Sequence, residues 1–153
     1  MWPELKTIFL AMTPINELRG TIPVATLVYN FSPLKAFLLA CLGNILPVLF
    51  LLFSWKYIFR FGARQSGLIK KFLDWILQRT RKRFYKNYSL FGDLALIFLV
   101  AIPLPFTGAW TGSLAAFLFG IPYARALSLI TVGVLISGIV VSFLTLSISL
   151  SFF

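Results

Sequence analysis

The sequence predicts an all-α integral membrane protein. It is built from two inverted repeats, each a re-entrant helical hairpin followed by a transmembrane helix, joined by a basic amphipathic helix. Three observations predict this. First, of 153 residues 59% are hydrophobic and 12% charged, with mean hydropathy +0.93, where a soluble domain is about a quarter charged. Second, Ala36–Trp55, Leu94–Ala124 and Ala126–Phe153 carry no charge, and each exceeds the roughly 18 residues needed to cross a bilayer. Third, one order of pieces occurs twice. Pro14 and Pro33 are 19 residues apart, as are Pro103 and Pro122, and the pairs are offset by 89. Broken helices at matching positions of two halves recur in transporters.

Each element follows in order. Thr7–Phe31 is apolar but interrupted by Pro14, Glu17, Arg19, Gly20 and Pro23. Its apolar pieces, Thr7–Ile15 and Thr21–Phe31, each cover about half of a ~30 Å hydrocarbon core. Ser32-Pro33 marks a new helix start, because proline fits a first turn. Leu34–Trp55 spans the membrane with Asn44 and Pro47 inside it, and Trp55, Lys56 and Tyr57 form an interfacial anchor. In Arg60–Tyr88, Ile69, Phe72, Leu73, Ile76 and Leu77 recur at helical spacing, opposite Lys70, Lys71, Asp74, Gln78, Arg81 and Lys82. This basic amphipathic helix suits an anionic leaflet; the alternative is a linker helix packed on its own protein. Asp93–Gly120 then repeats the first form: Leu94–Ile102 apolar, Pro103–Gly112 broken, Ser113–Gly120 apolar. Tyr123–Phe153 spans, its small residues allowing close helix contact. The chain reads as one membrane domain: repeat 1 over 1–55, linker over 56–88, repeat 2 over 89–153.

The net charge of +10 is not a nucleic-acid signature. Ten of the fourteen Lys/Arg lie between Lys56 and Lys86, between apolar spans, as the positive-inside rule distributes them. This predicts a multi-pass protein of the cell membrane with residues 56–88 cytoplasmic and both termini outside. The implied partners are membrane lipids, with the 65–88 helix on the anionic leaflet; a homo-oligomer is left open. Cys41 is the lone cysteine, there is no histidine, and the carboxylates are Glu4, Glu17, Asp74 and Asp93. Such an inventory excludes histidine-based zinc sites and catalytic triads. No enzyme activity, catalytic residue, metal or cofactor is expected.

The candidate site lies at the two breaks, "PINELRGTIP" and "PLPFTGAWTG". Non-helical backbone at membrane depth must be buried in protein or line a wet cavity, so each break implies a protected interior, and the two hairpin tips should meet. A second half-helix starts near Thr21–Pro23 in one half and near Thr107–Gly112 in the other. Helix N-termini expose unpaired N–H groups and attract anions. The predicted binding set is Glu17, Arg19, Gly20, Thr21 and Pro23 with Pro103, Pro105, Thr107, Gly108, Thr111 and Gly112. Glu17 would carry a proton, because a desolvated carboxylate is costly in its charged form. Arg19 would face an anionic group. Asn44 and Asp93 are secondary candidates; Asp93, following Gly92, also reads as a helix N-cap. Gly108 and Gly112 read as turn residues.

"TPINELRGTIPVA" and "PLPFTGAWTGSLAAFLFGIP", with the basic link between them, resemble the small multidrug export protein family over nearly the whole chain. More distantly, Glu17, Gly20 and Pro23 in Glu-x-x-Gly-x-x-Pro are similar to the DedA/VTT superfamily. That resemblance implies facing re-entrant hairpins and either proton-coupled transport or lipid-carrier flipping. DedA-type second hairpins carry arginines, whereas no basic residue lies between Lys86 and Arg125 here. The function expected is a small proton-coupled transporter moving an anionic or amphiphilic compound through the facing tips. A DedA-type lipid flippase or scramblase and a non-transporting membrane scaffold are the alternatives.

Overall fold

The computed structural model describes residues 2–62, 64, 67–103 and 107–151. Among them the helices are α1 (Pro3–Met12), α2 (Glu17–Pro23), α3 (Pro33–Gly62), α4 (Leu68–Phe91), α5 (Leu94–Ala101), α6 (Ala109–Leu118) and α7 (Tyr123–Ser151). A π-helical turn, Val24–Val28, prolongs α2. No strand occurs among the described residues. α3 and α7 are long and apolar enough to cross a membrane. Their outward faces carry large apolar side chains, among them Leu38, Phe50 and Phe53 on α3 and Ile139, Phe143 and Leu144 on α7.

The core is thin and made largely of small residues. Ala11, Ala36, Ala40, Ala109, Ala115, Ala116 and Ala126 are fully buried. This lets backbones approach closely, the packing that membrane helices favour. Gly43 of α3 shows how closely: a Cβ there would lie 2.5 Å from the Ile8 carbonyl oxygen and 2.7 Å from the Ala11 Cβ. The same arrangement recurs in the second half, where a Cβ on Gly133 would lie 3.0 Å from the Ile97 carbonyl oxygen and 2.7 Å from the Val100 Cβ. Burial recurs too. Ala36, Ala40, Asn44, Pro47 and Val48 are buried on α3, and Ala126, Ile130, Val134, Ser137 and Gly138 on α7, at a constant offset of 90. α1 packs on α3 as α5 packs on α7, and α2 lies on α7 as α6 lies on α3.

Both broken segments are broken, but the first break falls earlier than the prolines and glycine suggest. It occupies Thr13–Asn16, and α2 starts at Glu17 instead of near Thr21–Pro23. Gly20 and Pro23 lie inside the helix. Pro23 removes one backbone donor, and the Val24 N–H is shared between the Gly20 and Thr21 carbonyls before the chain widens into the π-helical turn. Local widening of this kind re-satisfies backbone groups around an interior proline. α3 also runs beyond Trp55 to Gly62, since nothing before Gly62 breaks it. Trp55 is not a free interfacial anchor: its indole donates to the Ser113 hydroxyl on α6 at 3.0 Å.

α4 packs on α5 and α6. Phe84 is buried against Phe119, with ring centroids 5.0 Å apart. The apolar set read from the sequence divides between two faces. Leu73, Ile76 and Leu77 are half-buried, while Ile69 and Phe72 are exposed together with Trp75. At the α5 start, Asp93 occupies the N-cap position yet makes no capping hydrogen bond. Its carboxylate instead pairs with Arg125 of α7, because α7 brings a full positive charge to the place where α5 offers only partial ones.

Gly43→Ala and Gly133→Ala are expected each to lower stability by about 1–3 kcal/mol, the usual range for overpacking. Leu42→Ala, on the outward face of α3, should change it far less. Thermal unfolding of the detergent-solubilised variants checks this; an unchanged melting temperature for both glycine variants would contradict the close helix contacts.

Candidate functional site

The two breaks meet. On the first side α1 ends at Met12 and Thr13 turns extended. The Thr13 hydroxyl donates to the Leu10 carbonyl at 2.7 Å and accepts from the Asn16 side-chain amide at 3.2 Å. The Glu17 N–H donates to the Thr13 carbonyl at 3.1 Å. These bonds hold Glu17 at φ 41°, a left-handed conformation that costs a non-glycine residue about 1 kcal/mol or more. On the second side Ile102 turns extended at the end of α5, and the Thr107 hydroxyl donates to its carbonyl at 2.8 Å. Gly108, at φ 135°, then opens α6.

Four contacts join the tips. The Arg19 guanidinium donates to the Thr107 carbonyl at 2.5 Å and to its hydroxyl at 3.3 Å. The Trp110 indole N–H donates to the carbonyl of Met12 at 3.2 Å, capping the α1 C-terminus. The Trp110 backbone N–H points at Glu17 Oε1 at 3.5 Å, so the carboxylate sits at the N-terminus of α6, where partial positive charge gathers. Arg19 lies 4.0 Å from that carboxylate. Glu17 is 6% exposed. Gly108 is required twice over: its φ suits glycine, and a Cβ there would fall 1.9 Å from Glu17 Oε2.

The structure brings together Glu17, Arg19, Thr107 and Gly108 from the predicted set. Pro103 follows the end of α5, and Pro105 lies outside the described residues. Gly20 and Pro23 belong to the body of α2, Gly20 donating its N–H back to the Asn16 carbonyl of the break at 2.9 Å and Pro23 closing the helix. Thr111 lies in the first turn of α6 and lines a cavity beside it. Gly112 is a packing residue and not a turn residue: a Cβ there would lie 2.5 Å from Val100 Cγ2, so α6 uses it to approach α5. Asp93 is held by Arg125. Thr21 and Asn44 are buried, and Thr21 Oγ1 and Asn44 Oδ1 have no hydrogen-bond partner among the described residues. Either oxygen could accept from a bound water or ligand. No cluster of three or more metal-ligating side chains occurs among the described residues.

Trp110 is the residue that sequence reading passed over. The signal was available: it lies two residues after Gly108, in a first helical turn whose N–H groups have no intrahelical partner.

A family-wide sequence model described as "Putative small multi-drug export protein" matches residues 17–140. The chain belongs to this family. The matched region begins at Glu17, just after the first break, and includes α2, α3, α4, the second break with α5 and α6, and most of α7. Family membership and the two long apolar helices mark it as a membrane protein. No curated protein and no solved structure matches it.

Gly108→Ala is expected to destabilise the small multidrug export fold by about 1–3 kcal/mol through backbone strain alone, with the Glu17 clash added. Combining it with Glu17→Ala removes the clash but not the strain. The double variant should therefore lose less stability than the two single losses together. Strict additivity in thermal unfolding would show that Gly108 and Glu17 do not touch.

Proposed function

We propose that this small multidrug export family member is a proton-coupled transporter whose site is the meeting point of the two tips. The observation that carries the reading is a carboxylate, Glu17, buried at a helical break, with Arg19 of its own helix 4.0 Å away and the Trp110 N–H of the opposite break against it. An ionisable residue in such an apolar setting is expensive and by default functional.

The architecture behind this reading is a pair of inverted repeats. α1 with α2, and α5 with α6, are the re-entrant hairpins; α3 and α7 are the spans. Support comes from the paired glycine contacts, from the burial pattern recurring at 90 residues, and from the reciprocal packing of α2 on α7 and α6 on α3. None of the four short helices exceeds 10 residues, or about 15 Å, half of a hydrocarbon core. In a multi-pass arrangement in the cell membrane, α4 faces the cytoplasm, with Ile69 and Phe72 against an anionic leaflet.

The coupling follows from the contacts. As an anion, Glu17 attracts the α6 N-terminus and Arg19. A proton on Glu17 removes that charge, weakens the junction between the tips and leaves Arg19, still bonded to Thr107, with an unbalanced positive charge for an anionic substrate. Proton and substrate then depend on one another, which is the thermodynamic requirement for coupled transport. No step calls for enzyme chemistry.

The test is reconstitution in liposomes under a pH gradient, with an entrapped pH dye reporting proton movement as organic anions are added. Glu17→Gln should insert normally and lose proton-dependent flux. Asp93→Asn should retain it, since its pair is with Arg125, whose side chain is largely exposed, and among the described residues it makes no contact with either tip. Parent-like flux in Glu17→Gln from neutral to mildly acidic pH would rule out coupling through Glu17 and favour a lipid flippase or a scaffold.

A further inference from the structure

A cavity of about 250 Å³ lies between α3, α4, α5 and α6, beside the tips. Trp55, Trp75 and Trp110 line it, three of the four tryptophans in the chain. Leu114 closes its apolar floor, and Arg79 and Thr80 of α4 give it a polar edge. Trp110 belongs to both places, lining the cavity while bonding across to Met12 and Glu17. Glu17 and Arg19 do not line it.

Size, lining and charge together select an occupant. An apolar cavity of about 150 Å³ is enough for benzene, and drug-sized ligands take roughly 300–1,000 Å³. The volume here therefore suits a body of one or two rings. Tryptophan faces stack on aromatic rings and also attract cations, so the sign must come from elsewhere. The face of Trp75 already carries the Arg79 guanidinium, 5.1 Å from the ring centroid. Among the described residues no carboxylate lines the cavity, and α4 bears seven Lys/Arg against the single carboxylate Asp74. An organic cation would meet like charge on entry.

We infer that this cavity is a binding site for a small aromatic anion, its ring held among Trp55, Trp75 and Trp110 and its anionic group directed to Arg79. Binding at this site stands by itself. The further statement that the bound anion is the carried substrate rests on the transport reading, with Trp110 transmitting occupancy to the tip contact.

The experiment uses the full chain in nanodiscs of zwitterionic lipid, with no pH gradient. Isothermal titration with naphthalene-2-sulfonate is compared with naphthalen-2-ylmethylammonium, a cation of the same ring size, and with empty nanodiscs. The expected result is saturable binding of the sulfonate, about tenfold tighter than the cation, a difference of about 1.4 kcal/mol. Arg79→Gln, on an exposed helix face, should weaken the sulfonate by about three- to fivefold. Leu114→Trp should fill the cavity and abolish binding, and Trp2→Phe should bind as the parent does. Equal affinity for the two probes, heats matching empty nanodiscs, or parent-like binding by Leu114→Trp would overturn the proposal. Sulfonate binding without proton-driven flux in liposomes would sink the transport reading and leave this site standing; flux without sulfonate binding would do the reverse.

Discussion

The structure depends on one constraint: two helices break inside an apolar protein, and the freed backbone groups must find partners there. An unpaired peptide group away from water costs several kcal/mol. The breaks answer this largely by serving each other. Trp110 reaches over to the Met12 carbonyl, Arg19 reaches back to the Thr107 carbonyl, and the Glu17 carboxylate stands at the start of α6. Neither tip is satisfied alone. The glycine at 108 is a consequence of this mutual capping, since a Cβ there would meet the Glu17 carboxylate.

The same constraint shapes the packing around the tips. Two short helical pieces per half cannot build a thick core, so the scaffold gains contact by bringing backbones close. Gly43 and Gly133 let α1 and α5 lie directly on the long helices, and Gly138 lets α7 press on the Phe37 ring of α3 at 2.6 Å from a hypothetical Cβ. The halves then exchange partners, α2 to α7 and α6 to α3.

α4 breaks the likeness between the halves, since it packs on α5 and α6 and, among the described residues, has no counterpart over α1 and α2. It is built for two neighbours. Phe84 and Thr80 face the protein, Ile69 and Phe72 face outward, and Trp75 lies between, exposed at the mouth of the cavity it lines. One of its basic residues, Arg79, lines the tryptophan-rich cavity. A membrane-surface reading and a packed-linker reading of this segment are therefore compatible, because opposite sides of one helix serve them.

The sequence by itself determined the helical class, the two long apolar helices and the existence of a break in each half. These rest on composition, on uncharged run length and on proline spacing, all of which act locally. It also marked Glu17, Arg19, Thr107 and Gly108, because ionisable and turn-forming residues stand out in an apolar run. It misplaced the start of α2, since Pro23 and Gly20 are breakers by propensity and only surrounding helices can supply the partners that keep them helical. It read Asp93 as a cap and Trp55 as an anchor, because each finds its partner, Arg125 and Ser113, far along the chain. The role of Trp110 was likewise decided by tertiary structure alone. Its partners Met12 and Glu17 lie more than 90 residues away, and no local pattern can state which backbone group an indole will reach.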